Sequence, residues 1–190
     1  MSDADGVIRS GGGIVSRGGE RSAPRPGQPD DLVALARAWR RRWASGIAVA
    51  TTASAGAYRG ITLTAVMPVA LDPPIIALAL ASDGEFLGVL QDAGRCALHI
   101  LDRDQEFLAE RFAGRAPVPD RRFAGIPHRV VDGLPVLEGV LAWVAGAVLR
   151  SEPWGDHVLV LLRVEGGAVH ADTDDPLLSY EGRYRALEAF

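Results

Sequence analysis

The pattern of apolar and polar positions after residue 29 predicts a short helix followed by strands. DDLVALARAWRRRWA, from Asp30 to Ala44, places apolar side chains at helical spacing behind an aspartate that can cap the first turn. Gly46 is expected to end this helix. GIAVATT and GITLTAVMPVAL follow as two strands, because the turn-forming stretch ASAGAYRG separates them. We expect these two strands to be antiparallel neighbours.

Alternation along GITLTAVMPVAL divides this predicted strand between two faces. The apolar face, which we predict to be the core side, comprises Ile61, Leu63, Ala65, Met67, Val69 and Leu71. Thr62 and Thr64 fall on the opposite face. Because threonine is common in half-exposed strands, periodicity alone leaves open whether these two hydroxyls contact a ligand.

In the rest of the chain, the pattern of apolar and polar residues predicts alternating strands and short helices, followed by a long β-meander. PPIIALALA and RCALHIL are typical of strands, SDGEFLGVLQDAG and DRDQEFLAERFAG of helices, and Pro117 and Pro119 of a loop. Turns are predicted at Trp154–Asp156, with Asp156 as a turn former, and at Gly166–Gly167. This order favours a mainly β (α+β) barrel with a few peripheral helices over a doubly wound fold.

Composition and charge narrow the class of protein. The chain has 190 residues, of which 48% are hydrophobic and 23% charged, so we expect one globular domain at 29–190 behind a disordered tail at 1–28. A net charge of −4 without a basic block argues against a nucleic-acid partner. No segment has the roughly 18 uninterrupted apolar residues of a spanning helix. With a lone cysteine, Cys96, in an apolar run, a cytoplasmic protein is expected.

Common catalytic motifs are missing from this sequence. It contains no Gly-x-Gly-x-x-Gly between a strand and a helix, no Walker-type phosphate loop and no Gly-x-Ser-x-Gly nucleophile elbow. His128 and His170 lack the spacing of metal ligands, so no metal site is predicted. If the protein is an enzyme, we expect a bound cofactor to carry the difficult chemistry.

Four motifs in order resemble the flavin reductase-like, FMN-binding split-barrel family. They are GITLTAVMPVALDPPII, DQEFLAERFAG, GDHVLVLLRV and PLLSYEGRYRAL, and together they cover about Ser45 to Leu187. The resemblance implies a Greek-key-like split β-barrel that holds FMN or FAD at the interface of a homodimer. It also implies hydride transfer from NADH or NADPH to the flavin, and a flavin-dependent monooxygenase that uses the reduced flavin.

The same resemblance implies roles for particular residues. Thr62, Thr64 and Ala65 belong to the motif that contacts the flavin phosphate and ribityl chain, and His157 matches a histidine that contacts the nicotinamide, which makes it the catalytic candidate. Ser82, with the start of the following helix, makes an anion site plausible. The remaining candidates for cofactor binding are Arg111, Phe112, Ala113, Gly114, Arg183 and Tyr184.

The chain also departs from the family, and each candidate has a purely structural interpretation. Many relatives carry serines where this chain has Ala65, Pro68 and Ala70. These missing hydroxyls keep a non-catalytic barrel that binds flavin or haem as an alternative, beside an oxidase or oxygenase with tightly bound flavin. His157 could equally be a turn histidine, and Phe112 a core residue. His99 stands where relatives often have asparagine, and we expect a satisfied core residue there.

Overall fold

The computed structural model describes residues 29–115, 123–170 and 175–187. The predicted tail at 1–28 and the predicted loop at Pro117 and Pro119 lie outside the described residues. The chain divides into two compact units, Met1–Arg42 and Trp43–Phe190. The described part of the first contains helix α1, Pro29–Arg41. This helix does not continue to Gly46 as predicted, because Ser45 and Gly46 are extended and form strand β1.

The described part of the second unit contains two helices and twelve strands, so the fold is mainly β. The helices are α2, Glu85–Ala93, and α3, Glu106–Phe112. Among the described helices, none is long and apolar enough to cross a membrane. The strands are β1 Ser45–Gly46, β2 Ala48–Ser54, β3 Ala57–Leu63, β4 Val66–Leu71, β5 Pro74–Ala81, β6 Arg95–Ile100, β7 His128–Val131, β8 Leu134–Leu137, β9 Ala142–Trp154, β10 His157–Val169, β11 Leu178–Tyr180 and β12 Arg183–Arg185.

Seven of these strands form one antiparallel sheet that must curl. Their order is β3, β2, β6, β9, β10, β5, β4, so β3 and β4 lie at opposite edges. Only Thr64 and Ala65 separate β3 from β4 along the chain. Because consecutive Cα atoms are about 3.8 Å apart, this link keeps the ends of the two edge strands within about 11 Å. The sheet therefore rolls into the predicted Greek-key-like split barrel, with helices at its periphery.

The predicted strand GITLTAVMPVAL is two strands, and part of the predicted core face is wrong. Ile61 and Leu63, before the link, belong to the core as predicted. Ala65, in the link, and Met67, Val69 and Leu71, beyond it, are exposed although they were predicted on the core face, and Pro68 is exposed as well. A single period of two does not run through the whole stretch, because the chain changes sheet edge at the link and β4 contains a bulge.

Apolar clusters cover both faces of the curled sheet. One cluster joins β2, β5, β6 and β10, and α2 contributes Phe86, Leu87 and Leu90 to it. The other packs α3 and β8 on the opposite face of β2, β6 and β9, with Leu108 and Phe112 as the main helix contributions. Since alternate residues of a strand point to opposite faces, the central strands are buried on both sides.

The β9–β10 hairpin is longer than predicted. It turns at Gly155 and Asp156 as expected, but Gly166 and Gly167 lie within β10 and do not form a second turn. A Cβ atom at Gly167 would lie 2.4 Å from the carbonyl oxygen of Trp143 on the neighbouring strand. Glycine is present here because two backbones approach closely, which a local turn signal cannot distinguish.

His99 is a fully buried histidine that connects three strands. The backbone N–H of Leu137 in β8 donates to its Nε2 (3.1 Å), so Nδ1 carries the proton and donates to the carbonyl of Val49 in β2 (2.9 Å). Burial lowers the pKa of His99 to about 4. The expectation of a satisfied core residue is confirmed.

We predict that His99 makes the protein less stable in mild acid. An unfolded histidine protonates near about pH 6.5, whereas the pKa of folded His99 is about 4. The contribution of His99 to the free energy of unfolding is therefore fully present above the pKa of the unfolded chain. It decreases by on the order of 3 kcal/mol as the pH falls from that pKa to the pKa of the folded protein. Urea unfolding across this range measures the slope.

Two variants show whether His99 causes that slope. His99→Asn should be less stable than the wild type but should lose this pH dependence, because asparagine has no titrating proton. His170→Asn, at an exposed histidine, is the matched control and should keep the slope. An undiminished slope in His99→Asn would refute the assignment.

Candidate functional site

The link between β3 and β4 places Thr64 and Ala65 beside the second half of β5. The carbonyl of Ala65 accepts a hydrogen bond from the N–H of Ala79 (3.1 Å). Ser82 follows Ala79 by three residues, which is about 10 Å at strand spacing. Thr64 is exposed. The link therefore lies beside β5 at Ala79, and Ser82 directly follows the end of that strand, about 10 Å further along the chain.

A single turn residue, Asp156, joins Ser82 to His157. The carbonyl of Asp156 accepts hydrogen bonds from the N–H (3.0 Å) and from the hydroxyl (3.1 Å) of Ser82. Gly155 has a φ of 63°, which glycine supplies to tight hairpin turns. The imidazole Nδ1 of His157 lies 2.7 Å from Oδ1 of Asp156, and its side chain is 41% exposed. Two predicted site residues are thus brought together.

The N-terminus of α2 follows Ser82 closely and is suited to an anion. Its N-cap residue, Gly84, has an extended backbone, and no side chain caps the helix. The first amides of such a helix point outward and carry partial positive charge. Glu85 opposes an anion, but its carboxylate pairs with Arg59 (Nε to Oε1, 2.7 Å). Because the Ser82 N–H already donates to Asp156, the helix amides are the better donors to a phosphate.

The side chain of Thr62 has different surroundings from the exposed side chain of Thr64, because β3 packs against α3 at Thr62. Its hydroxyl donates to the carbonyl of Ala109 (2.6 Å). On the same side of β3, a Cβ atom at Gly60 would lie 2.6 Å from the ring of Phe112, which is only 1% exposed. The Thr62 hydroxyl proton and the Phe112 ring are therefore used in packing, and their contact with flavin stays a prediction.

The other candidates from the second motif surround the end of α3. Arg111 donates from Nη2 to the carbonyl of Ala124 (2.8 Å). Ala113 is partly exposed, and its N–H donates to the carbonyl of Ala109. Gly114 has a φ of 74° and follows the helix. These residues form the C-terminal end of α3, and their contact with a ligand stays a prediction.

The C-terminal hairpin is attached to the same helix through Tyr184. Its hydroxyl donates to Oε1 of Glu110, which also pairs with Arg115 (3.3 Å). Partial burial, together with the Glu110 carboxylate, raises the pKa of Tyr184 to about 12, so the phenol stays protonated near neutral pH. Arg183 is exposed. Thr62, Phe112 and Tyr184 thus lie around α3, whereas Ser82 and His157 lie at the end of β5.

An apolar cavity of about 370 Å³ lies near the β3–β4 link. This volume is within the usual range for small-molecule pockets. Trp43, Pro68, Ile100 and Trp143 are among the residues that line it, and Thr64 is the one predicted site residue there among the described positions. The lining contains no charged side chain, so this cavity is unsuited to a phosphate.

Comparison with known proteins identifies the family. Residues 40–188 match the flavin reductase like domain. The chain belongs to the flavin reductase like domain family. An NADH-dependent flavin reductase from a Rhodococcus species is 37% identical over 151 residues, which cover 77% of this chain and 82% of that relative.

Other flavin reductase family members extend the comparison. The reductase component of a 4-hydroxyphenylacetate 3-monooxygenase from Thermus thermophilus is 34% identical, over 77% of this chain and 91% of that relative. The solved structure of nitrilotriacetate monooxygenase component B from Mycobacterium thermoresistibile superposes with a TM-score of 0.75 at 28% identity, over 82% of this chain and 89% of that one. This chain is therefore similar to both along most of its length.

The residues of this flavin reductase family member fit a flavin mainly through backbone donors. The start of α2 offers outward-pointing amides that no side chain caps, and the exposed Thr64 hydroxyl lies on the β3–β4 link. Ala65, Pro68 and Ala70 offer no hydroxyl, and Pro68 has no N–H. Within the described residues, no group of His, Cys, Asp and Glu could hold a metal ion.

Two features of the site could not be found by sequence reasoning. Asp156 is predicted only as a turn former, since nothing in the local pattern shows that its carbonyl reaches Ser82. Glu110 gives no signal that it receives the Tyr184 hydroxyl. Both contacts depend on pairings between distant parts of the chain, β5 with β10 for the first. Cys96, expected to be buried, is buried, which raises the pKa of its thiol to about 12.

We predict that Thr62→Val destabilises the fold by about 1 kcal/mol, because it removes a hydrogen bond to the carbonyl of Ala109. Thr64→Val is the matched control, since Thr64 is exposed and its replacement should change stability by less than about 0.5 kcal/mol. Urea unfolding of both variants measures the difference. Equal stabilities would show that the Thr62 bond contributes nothing.

Proposed function

We propose that this chain is an NADH-dependent flavin reductase, which oxidises NADH and reduces FMN or FAD. The observation that carries the proposal is the connection of Ser82, Asp156 and His157, which places a partly exposed histidine near a helix N-terminus that no side chain caps. Its support is the 37% identity to a flavin reductase that uses NADH. NADPH is the alternative reductant.

Each part of the site has a distinct role in this proposal. When bound, the flavin supplies the redox chemistry, because its ring accepts a hydride from the nicotinamide. The amides at the start of α2 hold the phosphate, and Thr64 holds the ribityl chain or the ring edge. His157 orients the nicotinamide, so it is the proposed catalytic residue. The protein needs no strong acid or base for hydride transfer, only correct placement of the two rings.

The proposed physiological partner is a flavin-dependent monooxygenase. Two relatives, from Thermus thermophilus and Pseudomonas aeruginosa, are named as reductase components of 4-hydroxyphenylacetate 3-monooxygenase. We propose that this chain likewise supplies reduced flavin to a separate oxygenase. A reductase that releases its product needs an accessible flavin site, which an exposed Thr64 and an exposed helix N-terminus supply.

The proposed assembly is a homodimer that uses β4. This edge strand exposes Met67 (57%), Val69 (48%) and Leu71 (91%). A row of exposed apolar side chains on a sheet edge is typical of an interaction surface. The row begins next to the β3–β4 link, so a second copy bound there would lie close to Thr64.

We predict that the purified protein oxidises NADH when FMN or FAD is added, which loss of NADH absorbance measures. Thr64→Val should raise the KM for flavin by about threefold to tenfold, as expected for one lost hydrogen bond. Ser151→Ala, an exposed hydroxyl on β9, is the matched control and should leave the KM unchanged. Flavin binding without NADH oxidation would instead indicate a non-catalytic binding protein. Oxygen consumption without added flavin would indicate an oxidase.

We also predict that Leu71→Lys shifts the protein from dimer to monomer. A charge in the middle of an apolar contact loses its hydration, which weakens association. Light scattering coupled to gel filtration measures the mass. Val169→Lys, at a residue that is 84% exposed on β10, is the control and should stay dimeric. If the wild type is monomeric at micromolar concentration, the proposed dimer is wrong.

A further inference from the structure

Asp156 makes two kinds of contact from one position in the β9–β10 turn. Its backbone carbonyl holds the N–H and hydroxyl of Ser82, and its side-chain carboxylate contacts His157 at 2.7 Å. The carboxylate is 96% exposed, so neither burial nor core packing explains its orientation. A side-chain substitution at Asp156 removes the contact with the imidazole, whereas the backbone carbonyl that binds Ser82 is kept.

The contact determines which ring nitrogen of His157 carries the proton. An ionised carboxylate has only acceptor oxygens, so a nitrogen 2.7 Å from Oδ1 must donate. The neutral imidazole then has its proton on Nδ1, and Nε2 is left with a lone pair that can accept a hydrogen bond. Asp156 thus sets both the orientation and the hydrogen-bonding character of the ring.

We infer that Asp156 is a positioning residue for NADH recognition. By keeping His157 in the Nδ1–H tautomer, it presents Nε2 as an acceptor to the carboxamide NH₂ group of the nicotinamide. The opposite tautomer would present a donor there, which could pair only with the carboxamide oxygen and would require the carboxamide to rotate. This inference rests on the proposed function, because it assigns the substrate group that His157 contacts.

The tautomer is tested directly by nitrogen-15 NMR of His157 at about pH 8.5, where an unperturbed imidazole is neutral. The wild type should show a protonated Nδ1 and an unprotonated Nε2. Asp156→Ala should shift His157 toward the Nε2–H form that free histidine favours. Asp156→Asn should keep the wild-type form, because its amide oxygen can still accept from Nδ1. This measurement needs neither flavin nor NADH.

Steady-state kinetics test the consequence for the substrate. Asp156→Ala should raise the KM for NADH about tenfold, with the KM for flavin and kcat within about twofold of wild type. Asp156→Asn should restore most of the affinity for NADH. Asp92→Ala, which removes the same charge from an exposed position on α2, is the matched control and should behave as the wild type.

The outcomes separate this inference from the proposed function. A wild type that does not oxidise NADH overturns both the proposed function and the assigned substrate group, whereas the NMR signature still reports whether Asp156 fixes the tautomer. An active wild type whose His157 tautomer is unchanged in Asp156→Ala overturns the inference alone. A parallel loss of flavin and NADH affinity in Asp156→Ala also overturns it, because that pattern shows a general role in holding the loop.

Discussion

The short covalent link between β3 and β4 is the constraint on which the rest of the structure depends. It is a limit on chain length and not an attraction between side chains, since two residues must connect opposite edges of a seven-stranded sheet. This limit makes the sheet curl and gives it an inside and an outside, each covered by its own apolar cluster. It also brings Thr64 to β5 and leaves the outer side chains of β4 in solvent.

The candidate site depends more on backbone groups than on side chains. Ser82 is held by a carbonyl, the proposed donors to an anion are helix amides, and the turn that carries His157 is formed around Gly155. Backbone donors remain when side chains are substituted. This is a physical reason why a chain with Ala65, Pro68 and Ala70 in place of hydroxyl-bearing residues can retain a flavin site.

Local patterns predicted the elements whose signals are contained within a few residues. The turn at Gly155 and Asp156, helix α2 and strand β6 follow directly from turn residues and apolar spacing. The prediction of a turn at Gly166–Gly167 was wrong because the sequence pattern around a glycine is the same in a turn and in a strand whose neighbour approaches closely. The core assignment of Met67 was wrong because alternation cannot show where a strand changes its partner. Motif order supplied the candidate site residues, and their roles stay predictions, but only the sheet register shows that Asp156 connects Ser82 to His157.

The pairing of β5 with β10 has a consequence for how the protein folds. Ala81 lies opposite His157, and about half of the second unit separates them along the chain. Contacts between residues so distant in sequence form late, because a large loop must first be closed. During synthesis, the apolar strand β5 leaves the ribosome long before β10 does, and during that interval the edge of β5 that pairs with β10 is exposed to aggregation. The pairing that buries this edge of β5 also brings Ser82 to Asp156, so assembly of the candidate site and protection from aggregation occur together.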